Sequence, residues 1–137
     1  MENPRKLALA SLVKSEENSS YSNIEVNTVI SRHKMEKVDV ALYTALYLGV
    51  TEKIITLDYI ISKYSNIPIS EIDVETKNAL RMGIYQLLYM DKIPDYSAVS
   101  ETVSLCKRRS KGFVNALLRG FLRANKEFAL PEDKWEC

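Results

Sequence analysis

Residues 79–90 read Ala79-Leu80-Arg81-Met82-Gly83-Ile84-Tyr85-Gln86-Leu87-Leu88-Tyr89-Met90. Twelve positions, apolar nearly all round, describe a helix buried on several sides rather than one lying on a surface. Arg81 and Gln86 break the pattern. Burying either without a partner is expensive, so both are expected to reach a partner or an edge. The stretch therefore predicts a central helix wrapped by others, capped at its start by Asp73 and closed off by Pro94.

Working outward, periods of three and four recur and no segment alternates with hairpin signals, so no sheet is expected. Asn3 as N-cap and Pro4 at the first helical position open a first helix, with Leu7, Ala8, Ala10, Leu12 and Val13 as its stripe. The run Ser15-Glu16-Glu17-Asn18-Ser19-Ser20 reads as a loop. Ser22-Asn23-Ile24-Glu25 matches a capping box and opens a second helix to about His33. A third runs from about Lys37 to Val50, with Val38, Ala41, Leu42, Ala45 and Leu46 inward. Gly49 and Thr51 mark a break before a fourth, from about Glu52 to Tyr64, carrying Ile54, Leu57, Ile60 and Ile61 inward. Beyond the central helix, Ser97 caps a sixth with Ala98, Val99, Thr102, Val103 and Cys106 on its inner face, and a seventh spans about Lys111 to Lys126. The expected architecture is all-α: one domain over residues 1–128 of about seven helices around a central one, with residues 129–137 as the start of a linker. Trp135 in that acidic end is unusual for a free terminus.

A chain of 137 residues that is 46% hydrophobic and 27% charged has room for one core and is too apolar to be disordered. Nothing approaches eighteen uninterrupted apolar residues, and the N-terminus lacks a signal-peptide core. Cys106 and Cys137 make neither a disulfide framework nor a zinc spacing, so a cytoplasmic location is expected.

The net charge of +1 conceals an asymmetry. Between Glu101 and Glu127 there is no acid, and Lys107, Arg108, Arg109, Lys111, Arg119, Arg123 and Lys126 give that stretch +7 against −6 for the remainder. With Asn115 at zero and about 100° per residue, Arg119 falls at about 40°, Arg123 at about 80° and Lys126 at about 20°. Phe113, Val114, Leu117, Phe121 and Ala124 fall between about 160° and 260°. One ridge faces the core and the other faces out. Lys107, Arg108, Arg109 and Lys111 gather at the preceding turn, beside the positive end of the helix dipole, and Gly112 permits close approach. Arg5 and Lys6 join this surface if the first helix packs nearby. Such a footprint fits a phosphate-rich partner, and contact by about six of these bases implies a log–log salt slope near −4 on single-stranded nucleic acid. A merely solvated basic helix is the competing reading.

Catalytic signatures are missing. His33 is the only histidine, so no histidine dyad or metal triad exists, and no glycine-rich loop follows a strand. Cys106 reads as a small apolar filler, and Asp73 and Glu75 as favourable charges at a helix start.

The order of Leu80-Arg81-Met82-Gly83-Ile84-Tyr85-Gln86-Leu87-Leu88, Ile93-Pro94, Ala98-Val99-Ser100-Glu101-Thr102-Val103 and Lys111-Gly112-Phe113-Val114-Asn115-Ala116-Leu117-Leu118-Arg119 resembles the NusB-like domain. Tyr21-Ser22-Asn23, Asp39-Val40-Ala41-Leu42, Gly49-Val50 and Thr56-Leu57-Asp58 match as well. One branch of that family is the free-standing antitermination factor, which binds RNA and a ribosomal protein. The other is the N-terminal domain of the RsmB (Sun-type) 16S rRNA cytosine-C5 methyltransferases. Phe113 to Arg119 and Thr56-Leu57-Asp58-Tyr59 look more like the second, although Val40 stands where that branch often has arginine.

The resemblance implies a noncatalytic module that helps a methyltransferase engage 16S rRNA. RNA contact would lie near Arg5 and Lys6 and along the basic region of the last two helices. A following methyl-transfer domain of the same polypeptide would bring the S-adenosylmethionine site, with no cofactor in this chain. It implies core packing for Phe113, a bond to a neighbouring loop for Asn115, and internal fastening by Arg81, Gln86 and Asp39. An antitermination factor and a helical protein-interaction domain are the alternatives. Whether the domain forms a homodimer is left open, and no membrane partner is expected.

Overall fold

The computed structural model describes residues 3–128. Among them lie seven α-helices, one short 3-10 turn and no strand. The proposed linker, with Trp135 and Cys137, lies outside the described residues. The helices are α1 (Pro4–Glu17), α2 (Asn23–Arg32), α3 (Lys37–Glu52), α4 (Ile54–Tyr64), α5 (Val74–Tyr89), α6 (Asp95–Ser104) and α7 (Arg108–Arg123), with the 3-10 turn at Ile69–Glu71. No single helix is long and apolar enough to cross a membrane among the described residues.

The central helix is where the apolar stretch places it. Asp73 caps α5 by accepting from the Thr76 amide, and Ala79, Leu80, Met82, Gly83, Ile84 and Leu87 are buried. Five helices surround α5: α1, α3, α4, α7 and α6 all pack on it. Neighbours in that ring also touch, α1 on α3, α3 on α4, α4 on α7 and α7 on α6. Between α6 and α1 the ring is parted by an open groove of about 520 Å³ whose walls include Lys6, Leu9, Val13, Glu75 and Leu105. Close approach to α5 depends on two glycines. A Cβ on Gly83 would stand 2.7 Å from Leu118 Cδ1 on α7, and one on Gly49 would overlap the Tyr85 ring. Gly49 thus makes room for a ring from α5; the chain itself breaks at Lys53, where α3 and α4 meet at 79°.

Several expected boundaries and faces are corrected. Residues Ser15 to Glu17 belong to α1, which ends only where Ser19 turns to φ 52° and the Ser20 amide reaches back to the Ser15 carbonyl. This 6→1 bond satisfies an end carbonyl and stops the helix. Ser22 flanks α2 but makes no side-chain cap bond. Glu25, its expected partner in the box, instead accepts from Ser11 Oγ (2.7 Å) and Lys14 Nζ (3.1 Å) on α1. Helix α3 is rotated from the face expected: Val38 is 72% exposed, while Tyr43 and Tyr47 are fully buried. The reason is a hydroxyl ladder, with Tyr43 Oη 2.7 Å from Ser11 Oγ and Tyr47 Oη 2.7 Å from Ser15 Oγ. Burial pushes the Tyr43 hydroxyl up to about 12 despite that bond. Ala10, placed on the α1 stripe from sequence, is exposed, and the ladder serines are buried in its stead. Helix α6 begins at Asp95 rather than after Ser97, because Pro94 already occupies the cap position.

Candidate nucleic-acid interface

The helix that carries most of the bases starts three residues earlier than its apolar pattern implied. α7 runs Arg108–Arg123 with Lys107 as N-cap, so Arg108 and Arg109 form its first turn instead of preceding it. With Asn115 at zero, Lys111 stands near −40°, Arg108 near 20°, Arg119 near 40°, Arg123 near 80° and Arg109 near 120°. All five are exposed. From Arg108 to Arg123 they cover about 22 Å of helix axis. Exposed Gly112 and Ala116 lie among them, and a Cβ on Gly112 would meet nothing within 4 Å.

The opposite side of α7 is anchored by buried Val114, Leu117, Leu118 and Phe121. Phe121 also meets Tyr64 edge-on, their ring centroids 5.4 Å apart. The first turn holds no acid, and the side chain of Lys107 makes no cap bond. The backbone amides of Arg108 and Arg109 therefore add a positive end to the basic row.

No carboxylate among the described residues lies within 4.0 Å of Arg108, Arg109, Lys111, Arg119 or Arg123. Arg119 Nε instead donates to Asn115 Oδ1 at 2.9 Å, so Asn115 steadies a base on its own helix rather than a neighbouring loop. Lys107 approaches Glu75 only at 3.9 Å.

Lys126 does not extend the ridge. α7 ends at Arg123, and Asn125 and Lys126 take φ of 56° and 60°. The Lys126 amide donates to Phe121 O and the Asn125 amide to Leu122 O, a pair of bonds that terminates the helix. The Lys126 ammonium is redirected to the Leu87 carbonyl (2.9 Å) and Asp95 (3.3 Å).

Arg5 and Lys6 are on the far side of α6. α1 packs on α3 and α5, whereas α7 packs on α4, α5 and α6. Lys6 lines the groove between α1 and α6, which Ser104 and Leu105 border from the other wall. Arg5 is half-buried and donates from Nε to Gln86 Oε1 at 2.8 Å. Burial lowers its pKa, opposed by the charge of Glu101. The structure thus gathers Arg108, Arg109, Lys111, Arg119 and Arg123, places Lys107 at their end, keeps Arg5 and Lys6 on a separate strip, and turns Lys126 away.

The buried arginine of the central helix belongs to the fold. Arg81 is 5% exposed. Its Nε and Nη2 bind the two oxygens of Asp58 at 2.7 and 2.8 Å, and Nη1 binds Glu16 Oε1 at 2.7 Å and Asn78 Oδ1 at 3.0 Å. Burial alone would lower the Arg81 pKa, but the bonds and charges of Asp58 and Glu16 outweigh it and raise it. Burial would raise Glu16, yet bonds from Lys77 (2.6 Å), Asn78 and Arg81 hold it below the usual carboxylate range. Asp39, also expected as a fastener, sits half-exposed in the first turn of α3. Cys106 is buried, and burial raises its thiol pKa, as suits an inert filler. No group of three His, Cys, Asp or Glu side chains that could hold a metal exists among the described residues.

The family model described as NusB family matches residues 2–123. The chain is 32% identical over 127 residues to the probable ribosomal RNA small subunit methyltransferase B of Bacillus subtilis (strain 168), covering 93% of this chain and 28% of that protein. It is 30% identical over 133 residues to the transcription antitermination protein NusB of Ruminiclostridium cellulolyticum, covering 94% of this chain and 90% of that protein. The solved structure of T. maritima NusB superposes with a TM-score of 0.75 over 100% of this chain and 99% of that one, at 22% identity. The chain therefore spans little more than a quarter of the methyltransferase relatives it matches.

Proposed function

Because the chain belongs to the NusB family, we propose that it is a noncatalytic RNA-binding domain that helps a 16S rRNA cytosine-C5 methyltransferase engage its substrate. The observation that carries this reading is the row of five exposed bases on α7 with no carboxylate in ion-pairing distance among the described residues. A surface of that kind holds a polyanion by releasing its counterions, with little demand on base identity. Methyl transfer, with its S-adenosylmethionine site and attacking cysteines, would belong to a following domain. That role is supported by the methyltransferase relatives, which this chain matches over 28% of their length. The partners would be 16S rRNA and that domain.

Filter binding of small-subunit rRNA fragments at several salt concentrations tests the reading. Five phosphate contacts imply a log–log slope of about −3.5. A slope near zero would leave only a solvated helix.

A second reading, a free-standing antitermination factor that binds RNA and a ribosomal protein, is favoured by the relative of which this chain covers 90%. Both readings use the same basic face. Retention of a ribosomal protein in pull-downs, with no gain in methyltransferase engagement, would select the second.

A further inference from the structure

Two arginines meet partners at the central helix, Arg81 from it and Arg5 against it, and they are held differently. Arg81 is answered by two carboxylates, Asp58 and Glu16. Arg5 is held by a neutral amide: its Nε donates to Gln86 Oε1 at 2.8 Å, and no carboxylate lies within 4.0 Å of it among the described residues. The Gln86 amide has one available orientation. Its Nε2 donates to the Met82 carbonyl and to Thr102 Oγ1, each at 3.0 Å, and a carbonyl oxygen cannot donate back to a flipped amide. Gln86 is 1% exposed and Thr102 is fully buried, so the acceptor is fixed by packing as well as by bonds. Arg5 is thereby gripped at Nε. Neither Nη nitrogen has a partner among the described residues, and no buried side-chain nitrogen of those residues lacks one, so both remain open to solvent.

We propose that Gln86 is a positioning residue for RNA binding, its buried amide holding the inner edge of the Arg5 guanidinium so that both outer nitrogens face a phosphate. The proposal rests on the reading that this domain binds RNA. A phosphate seats on a guanidinium through two parallel N–H bonds, so a preset fork loses less freedom on binding than a loose one. A neutral holder adds no negative charge of its own to that of Glu101, which acts on Arg5 from beyond ion-pairing distance, whereas a carboxylate in its place would cancel the cation. The acceptor thus orients the cation without consuming it, on the α1 strip and apart from the α7 row.

The test uses the full chain, a fluorescein-labelled single-stranded rRNA fragment and anisotropy titrations at several KCl concentrations. Arg5→Ala lowers affinity and reduces the salt slope by about 0.7, the loss of one phosphate contact. Gln86→Met lowers affinity about three- to tenfold, as expected when one charged hydrogen bond is weakened, and leaves the slope unchanged because the charge persists. In the Arg5→Ala background Gln86→Met has no further effect. Gln86→Glu keeps the side chain's shape and cancels the charge locally, so it lowers both affinity and slope, as Arg5→Ala does. Circular dichroism and a melting curve establish that each variant is folded, and Gln86→Glu decides the matter if Gln86→Met is not. Equal losses from Gln86→Met with and without Arg5, or Gln86 variants that are folded and bind like the unchanged chain, would overturn the proposal alone. An unchanged chain whose binding has no salt slope would overturn the RNA reading and this proposal together.

Discussion

Removing Asp58 should cost more stability than removing the arginine it binds. In Asp58→Ala, Arg81 stays in place with a side chain 6% exposed and loses its acceptors at Nε and Nη2. Glu16 and Asn78 still hold Nη1, so the guanidinium is left partly answered. Breaking a buried pair from one side costs about 3–5 kcal/mol, and with one carboxylate remaining the lower end, about 3 kcal/mol, applies. In Arg81→Met the stem volume is kept. The orphaned groups are two carboxylates that reach water, Asp58 at 29% and Glu16 at 23% exposure, and the buried Asn78 Oδ1, while Lys77 still pairs with Glu16. That loss should be about 2 kcal/mol, since the exposed charges regain hydration and one buried neutral acceptor is left unanswered. Urea unfolding followed at 222 nm measures both. At a slope of about 2 kcal/mol/M, the midpoint falls by about 1.5 M for Asp58→Ala and by about 1 M for Arg81→Met. Equal shifts, or a larger one for Arg81→Met, would refute the view that an unanswered buried cation is the dominant cost here.

Other perturbations follow from the same contacts. Glu16 has its pKa lowered in the folded state, so its contribution is fully present above its unfolded value of 4.5 and is lost as pH falls through the lower folded value. Urea midpoints should therefore drop below pH 4.5 in the unchanged chain and drop less in Glu16→Gln, whereas a rise in acid would contradict the assignment. Gly83→Ala puts a Cβ 2.7 Å from Leu118 Cδ1 and should cost about 1–3 kcal/mol by melting, but add little further loss in a Leu118→Ala background, where the crowding methyl is gone. A Gly83→Ala protein as stable as the original would mean that α5 and α7 can part without penalty.

The core was legible in the sequence because one segment lacks a polar face. Ala79 through Met90 offer no polar face, so a central helix and a ring of others follow, although Tyr89 at its end reaches the surface, and Arg81 and Gln86 were visible as the two groups needing partners. Their partners were not visible. Asp58 and Glu16 are 23 and 65 residues away from Arg81, and Arg5 is 81 away from Gln86. Glu16 was hidden further by a polar run that reads as a loop but continues α1. The α3 face was misread because apolarity alone favours Val38 and Ala41 over tyrosines. The usable signal was a match of spacings, Ser11 and Ser15 on α1 against Tyr43 and Tyr47 on α3, each four residues apart.

The basic face was legible in part. Arg119 and Arg123 are exposed as expected because the buried apolar half of α7 fixes its rotation. Its start was obscure because Lys107 offers no capping oxygen and Arg108 and Arg109 no apolar period. Its end was signalled by Asn125, a residue that tolerates the left-handed turn which removes Lys126 from the row.

The claim on which the functional account rests is that the exposed face of α7 meets a polyanion, and a salt titration of Arg108→Ala/Arg119→Ala/Arg123→Ala against the unchanged chain tests it most directly. The account predicts a folded triple variant with weaker RNA binding and a log–log slope shallower by about 2, for three lost phosphate contacts. A folded triple variant with the original affinity and slope would contradict it.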